Sequence, residues 1–78
     1  MILEIITPES KLFQGEVNSV KLPGADGSFG ILNNHAPIIS TLAKGTIEVV
    51  DSNNENINFD INGGVIEMQK NKIIVLAD

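Results

Sequence analysis

The residue types that could support hydrolytic catalysis lie in and just after one stretch, "LPGADGSFGILNNHAPI" (22–38). It contains the only histidine, His35, with Asp26 and Ser28 upstream, and Ser40 follows closely. A Ser-His-Asp triad needs these residue types, but also a nucleophile presented on a turn such as G-x-S-x-G and a fixed relay to the histidine. Ser28 lies in no such motif. We therefore expect no catalytic residues and interpret His35 as a residue that caps backbone groups or packs.

A metal or phosphate site is not expected either. Zinc typically needs about four closely spaced ligands, and one histidine with dispersed carboxylates does not supply them. The glycine-rich "GADGSFG" (24–30) lacks the lysine and the Ser/Thr of a P-loop, and no helix follows that could hold an anion at its N-terminus. Gly24, Gly27 and Gly30 instead predict positive φ angles or close approach between strands. No cofactor and no nucleotide binding are expected.

The elements around this stretch are predicted to be strands. Twelve Ile and six Val favour β-structure, and no window has a clean helical period. Alternation is clearest in "INFDI" (57–61), where Ile57, Phe59 and Ile61 share one face, and it recurs in "TIEV" and "GVIEMQ". Closely spaced turn signals separate these runs. We expect one all-β domain over residues 1–78, a small two-layer antiparallel β-sandwich or flattened barrel of about eight to ten short strands.

Two runs break the alternation. "KIIVLA" (72–77) places Ile73 and Val75 on one face and Ile74 and Leu76 on the other. Ile38 and Ile39 are likewise adjacent in the chain. Because a sandwich strand has only one face toward the core, apolar residues on both faces predict that a partner covers the outer one.

The charge excludes some partners. Ten acidic residues against five lysines, with no arginine, give a net charge of -5, so neither nucleic acid nor anionic lipid is an expected partner. There is no cysteine, and we expect no targeting leader and no membrane span. Association with a membrane is expected only through a complex.

Several ordered motifs resemble one known family. "LFQGEVNSVKLPGADGSFGILNNHAPIISTLAKGTIEV" and "INGGVIEMQKNKIIVLAD" resemble the N-terminal β-sandwich domain of the ATP synthase epsilon subunit. The family pattern is F-x-G, then G-x-x-G-x-x-G-I-x-P-G-H-A-P, L-x-x-G, G-G and a closing V-x-V-L-A-D. The matching positions are Phe13, Gly15, Gly24, Gly27, Gly30, Ile31, His35, Ala36, Pro37, Leu42, Gly45, Gly63 and Gly64, with the final "IVLAD" in register.

The resemblance implies a non-catalytic rotor subunit of an F-type ATP synthase. Its expected partners are the gamma subunit and the polar loops of the c-ring, and its expected location is the cytoplasmic face of the bacterial inner membrane. There it would couple ion translocation to ATP synthesis. The residues implied as contacts to gamma or the ring are Asp26, Gly27, Ser28, His35 and Ser40, to which the apolar outer face adds Ile74 and Leu76.

The sequence departs from the family pattern in three respects. Asn33 and Asn34 replace the Pro-Gly before His35, although Asn34 can adopt the left-handed conformation as glycine does. Ser28 stands where relatives often carry an acidic residue, which predicts a hydrogen bond to the ring in place of a salt bridge. The sequence ends at Asp78, so the ATP-binding helical hairpin of many bacterial relatives, an inhibitory arm, is not assigned to it.

Two other functions are weighed from different classes. A lipoyl or biotinyl carrier domain is also all-β, and it would use Lys70 as the modified residue at a hairpin tip. A small hydrolase would use His35.

Overall fold

Eight β-strands form the whole fold, and the computed structural model describes all residues, 1–78. The strands are β1 (Ile2–Ile6), β2 (Lys11–Leu22), β3 (Phe29–Leu32), β4 (Ile38–Leu42), β5 (Gly45–Asp51), β6 (Asn56–Ile61), β7 (Gly64–Gln69) and β8 (Lys72–Ala77). The predicted all-β fold is confirmed, with eight strands. No helix is present that could span a membrane.

The strands form two sheets that share β2. Sheet A has the order β4-β7-β8-β1-β2, and in it residues 11–16 of β2 pair with β1. Sheet B contains β3, β2, β5 and β6, and in it residues 17–22 of β2 pair with β5 and β3. The register of the β2–β5 pair shifts between Val17 and Ser19, where the strand passes from one sheet to the other. Such an irregularity bends a strand and increases its twist.

One strand pair is not antiparallel. β1 and β8 pair in parallel, with Leu3 opposite Ile73 and Ile5 opposite Val75. The short turns of the sequence predict only antiparallel neighbours, because hairpins always reverse the chain. The two strands nearest the ends of the sequence are joined by no turn, so a parallel arrangement is open to them.

Alternation along each strand builds the core. In β8, Ile73 and Val75 are buried, whereas Leu76 is exposed and Ile74 is half-buried. Phe13 and Phe59 are partly buried at one margin of the sandwich, where their ring centroids are 5.7 Å apart. The fully buried aliphatic side chains include Leu3, Ile5, Val17, Val20, Leu22, Ile31, Ile47, Val49, Ile66, Met68, Ile73 and Val75. Burying each such side chain contributes about 1.5–3 kcal/mol before entropy is counted.

The turn between β2 and β3 needs glycine at two of the three predicted positions. Gly27 has a φ of 126°, and its backbone N–H donates to the Gly24 carbonyl oxygen at 3.0 Å. A Cβ on Gly24 would lie 2.7 Å from the ring of Phe29. The prediction is wrong for Gly30, which has no positive φ and would place a Cβ 3.9 Å from its nearest neighbour, an ordinary contact.

The turn between β7 and β8 contains only Lys70 and Asn71. Both have positive φ angles, 51° and 59°. This is the geometry of a two-residue hairpin turn whose twist matches the flanking strands, and asparagine tolerates it well. The turn directs the side chain of Asn71 away from both strands, toward the loop between β3 and β4.

Candidate partner-docking surfaces

The outer face of sheet A carries a row of apolar side chains. Val65 of β7 is paired with Leu76 of β8, which is paired in turn with Ile6 of β1. The next row contains Ile74, with Ile39 farther toward the edge. The predicted apolar outer surface at Ile74 and Leu76 is therefore present, and Val65 and Ile6 extend it. A shallow depression of about 650 Å³ lies at its margin, lined by Ile6, Val65 and Leu76 among others.

A polar group interrupts this face at its centre. The Glu4 carboxylate is 3.1 Å from Lys72 Nζ and 3.4 Å from Lys11 Nζ. The hydrogen bond from Lys72 is the largest effect and holds the pKa of Glu4 below its ordinary value. Desolvation opposes it, and the hydrogen bond and charge of Lys11 lower the pKa further. Sequence reasoning missed this cluster because the three residues come together only through the β1–β2 and β1–β8 pairings.

The outer face of sheet B is polar by comparison. Thr46 donates its hydroxyl hydrogen to Asp60 at 2.8 Å, and Lys21 lies 3.8 Å from Glu48. The strand β6 adds exposed Asn56 and Asn58 to this face. Leu32, which is 67% exposed, and half-buried Val50 also lie on this outer face, so exposed apolar side chains are more numerous on sheet A but are not confined to it.

The loop that holds Asp26, Gly27 and Ser28 lies at one end of the sandwich and is exposed. Its first residues are tied to the end of β4, because Ala25 N–H donates to the Thr41 carbonyl at 2.9 Å and Ala43 N–H donates to the Pro23 carbonyl at 2.7 Å. The three predicted contact residues therefore form one polar tip.

His35 lies at the opposite end of the sandwich. Leu22 pairs with Phe29 and Ser19 with Leu32, so the whole of β3 separates the Asp26 loop from the His35 loop. The His35 ring is exposed, and its Nδ1 lies 2.7 Å from the Ala36 carbonyl oxygen. This bond agrees with the predicted capping role. The separation from Asp26 and Ser28 rules out a triad of these residues, so the geometry does not support the hydrolase hypothesis.

The remaining predicted residues divide between an inward and an outward position. Ser40 is on the side of β4 that faces inward, half-buried opposite Ile66, and its hydroxyl donates to the Thr41 carbonyl at 3.4 Å. It is therefore not part of the exposed loops. Lys70 is exposed at the tip of the β7–β8 turn, the position that the carrier hypothesis requires. No group of three or more His, Asp or Glu side chains is close enough together to hold a metal ion.

Known proteins resemble this chain in sequence and in fold. Residues 1–78 match the family model described as ATP synthase, Delta/Epsilon chain, beta-sandwich domain. The ATP synthase epsilon chain of Campylobacter curvus is 43% identical over 76 residues, which are 97% of this chain and 59% of the relative. The epsilon chain of Caulobacter vibrioides is 42% identical over 74 residues, 95% of this chain and 85% of the relative.

The fold agrees with the sequence comparison. A chain in the OSCP/F1/c-ring part of the Euglena gracilis mitochondrial ATP synthase superposes with a TM-score of 0.92 at 20% identity. The match covers 99% of this chain and 49% of that one. The chain thus spans about half to three fifths of the length of several of these proteins.

Proposed function

This chain belongs to the ATP synthase delta/epsilon β-sandwich family, and from that premise we propose that it is a non-catalytic, epsilon-type subunit of the central stalk. In this role it joins the gamma subunit to the membrane c-ring and couples ion translocation to ATP synthesis. The observation that carries the proposal is the apolar outer face of sheet A. On this face Val65, Leu76 and Ile39 are exposed, although the chain as a whole has a net charge of -5.

Gamma is the partner assigned to this face. Burial of an apolar side chain such as Leu76 against another protein is favourable because it removes apolar surface from water. The centres of protein interfaces are also depleted of charged residues. The Glu4 carboxylate within the face is paired with Lys72 and Lys11, so covering it does not bury that carboxylate without a partner.

The polar tip at Asp26, Gly27 and Ser28 is assigned to the polar loops of the c-ring. The Asp26 and His35 loops lie at opposite ends of β3, so one flat ring surface can reach only one of them. The exposed carboxylate and hydroxyl of Asp26 and Ser28 suit hydrogen-bonding loops, whereas the His35 loop has no acidic or lysine residue beside it. We therefore assign the His35 loop to gamma.

The location follows from these partners. The chain is placed at the cytoplasmic face of the bacterial inner membrane, held there through the complex. The carrier hypothesis keeps only the exposed position of Lys70 in its favour. The family match over residues 1–78 supports the stalk function instead.

The experiment that tests the proposal is a titration of this chain with the gamma subunit from the same source, followed by co-purification. We expect a one-to-one complex. A folded sample, checked by circular dichroism, that forms no complex at micromolar concentrations would contradict the proposal. The mass of the native protein provides a second readout, because a carrier domain would show the added mass of a lipoyl or biotinyl group on Lys70.

A further inference from the structure

The side chain of Asn71 joins the β7–β8 turn to the loop between β3 and β4. Its Oδ1 accepts a hydrogen bond from the backbone N–H of Asn34 at 2.7 Å, and its Nδ2 donates to Oδ1 of Asn33 at 2.8 Å. Its backbone carbonyl also accepts from the N–H of Ile2 at 3.2 Å. One asparagine therefore connects three segments that are distant in the sequence.

The loop that Asn71 holds has an unusual composition for this chain. Residues 28–43 contain no acidic residue and no lysine, although the whole chain has ten acidic residues and five lysines. The two most exposed large apolar side chains, Leu32 at 67% and Ile39 at 78%, flank the loop in the sequence. His35 is its only titratable group. Low charge and exposed apolar residues are the features of the centre of a protein interface.

Few bonds within the loop itself could fix its conformation. Asn34 has a φ of 63°, and the His35 N–H donates to the Leu32 carbonyl at 3.2 Å, which closes one turn. The family pattern has Pro-Gly at the positions of Asn33 and Asn34, so the rigid φ of proline is absent here. Both asparagines are instead bonded to Asn71, and the Oδ1 of Asn33 also accepts from the Met1 ammonium at 3.2 Å, so the Asn34 N–H is the group that depends on Asn71 alone.

We propose that Asn71 is a positioning residue, which holds the Asn33–Pro37 loop in its partner-binding conformation before the partner arrives. This inference rests on the proposed function, in which the His35 loop contacts gamma. A loop that is ordered in advance loses less conformational entropy on association, so its affinity is higher at the same set of contacts. Asn71 acts through Asn33 and Asn34 and does not itself need to touch gamma.

The test uses three variants of this chain. Asn71→Gly removes both side-chain bonds but keeps a residue that adopts positive φ readily, so the turn is retained. Asn71→Asp keeps an oxygen that can accept from the Asn34 N–H and loses the donor to Asn33. The matched control is Asn54→Gly, since Asn54 also has positive φ, 61°, and its side chain is hydrogen-bonded to Asn18, not to the loop.

We expect Asn71→Gly to bind gamma about tenfold more weakly, the loss expected from one or two modest hydrogen bonds. Asn71→Asp is expected to lie between Asn71→Gly and the wild type, and Asn54→Gly to match the wild type. The thermal midpoints of all four proteins should agree within a few degrees. Gamma binding by Asn71→Gly equal to that of the wild type, or a loss of binding that follows a loss of thermal stability, would overturn the inference.

Amide hydrogen exchange, measured by NMR on the chain alone, separates this inference from the proposed function. In Asn71→Gly the amides of Asn34 and His35 should exchange faster than in the wild type, and in Asn54→Gly they should not. If wild-type chain fails to bind gamma while these amides respond as expected, the stalk assignment is wrong but the loop is still held by Asn71. Unchanged exchange in Asn71→Gly would exclude the positioning role, whatever the partner.

Discussion

Val65 and Leu76 are direct partners across the antiparallel β7–β8 pair, and their exposed fractions are 45% and 50% on the outer face of sheet A. The inward residues that alternate with them, Ile66 and Val75, are fully buried and also paired with each other. The same two strands therefore present an apolar pair to the core and an apolar pair to the outside. Burial in the core accounts for the apolar character of Ile66 and Val75, but it does not account for that of Val65 and Leu76.

Replacing Leu76 with aspartate should weaken gamma binding by about tenfold or more, because a charge would be buried in the interface without a partner. Stability of the isolated chain should change by less than about 1 kcal/mol, since the site is half exposed. Titration calorimetry and urea unfolding measure the two quantities. Val50→Asp, on the outer face of sheet B, is the matched control. Equal loss of gamma binding in both variants would remove the assignment of gamma to sheet A.

Gly64→Ala should destabilise the fold by more than about 2 kcal/mol. Gly64 has a φ of 149°, and a Cβ there would contact the carbonyl of Leu76 and lie 2.9 Å from Cα of Ala77. Both obstacles are backbone atoms of the paired strand, so no side chain can move aside. Chemical denaturation gives the free energy of unfolding. Gly30→Ala serves as the control and should be close to neutral, because its Cβ has room; similar losses in both variants would contradict this account.

The ion pairs of Glu4 with Lys72 and Lys11 should make the free energy of unfolding depend on pH in the acidic range. Lys72 and then Lys11 lower the pKa of folded Glu4 below its ordinary value of 4.5, so the folded state favours the carboxylate. This contribution is fully present above the unfolded pKa and is lost as pH falls through the lower, folded pKa. Urea midpoints measured from pH 7 to pH 3 should therefore fall more steeply for the wild type than for Glu4→Gln.

Glu67→Gln is the control for this comparison. Glu67 lies on the same outer face but forms no ion pair. Its variant should keep the wild-type dependence on pH. If the urea midpoints of Glu4→Gln and the wild type change with pH by the same slope below pH 5, the ion pairs seen in the structure do not stabilise the ionised form of Glu4 in solution.

Asp26→Lys should leave binding to isolated gamma unchanged and reduce the additional affinity for a complex of gamma with the c-ring. The reason is that the Asp26 loop lies at the end of the sandwich away from His35, and the proposed function assigns the two loops to different partners. Binding to gamma alone and to the gamma–ring complex can be compared by surface plasmon resonance. Glu55→Lys, in the turn between β5 and β6, makes the same charge change elsewhere. A loss of binding to isolated gamma in Asp26→Lys alone would place gamma at this end.

Local patterns in the sequence predict the strands well. The alternation of Ile57, Phe59 and Ile61 corresponds to an inward face of β6, and "KIIVLA" corresponds to β8 with three buried and two outward apolar residues. Both predictions depend only on the period of two that a strand imposes, so neighbours along the chain contain the information.

Features that depend on distant pairings could not be predicted in the same way. The parallel pairing of β1 and β8, the bonds from Lys11 and Lys72 to Glu4, and the contacts of Asn71 all join residues from different turns and strands. The sequence also groups Asp26 and His35 within ten positions, yet β3 separates them. Even a short strand places residues that are close in the sequence far apart in space, because each strand residue extends the chain by about 3.3 Å.

The strand β2 gives the two sheets a covalent mechanical link. Its twelve residues run from the partner of β1 in sheet A to the partner of β3 and β5 in sheet B without a break in the chain. A sideways load applied to the outer face of sheet A is therefore carried to sheet B along a continuous backbone, as well as through side-chain packing. Sliding one layer over the other would have to pull β2 out of register with at least one neighbour. In the stalk role proposed above, this link would make the sandwich resist shear between its two partners.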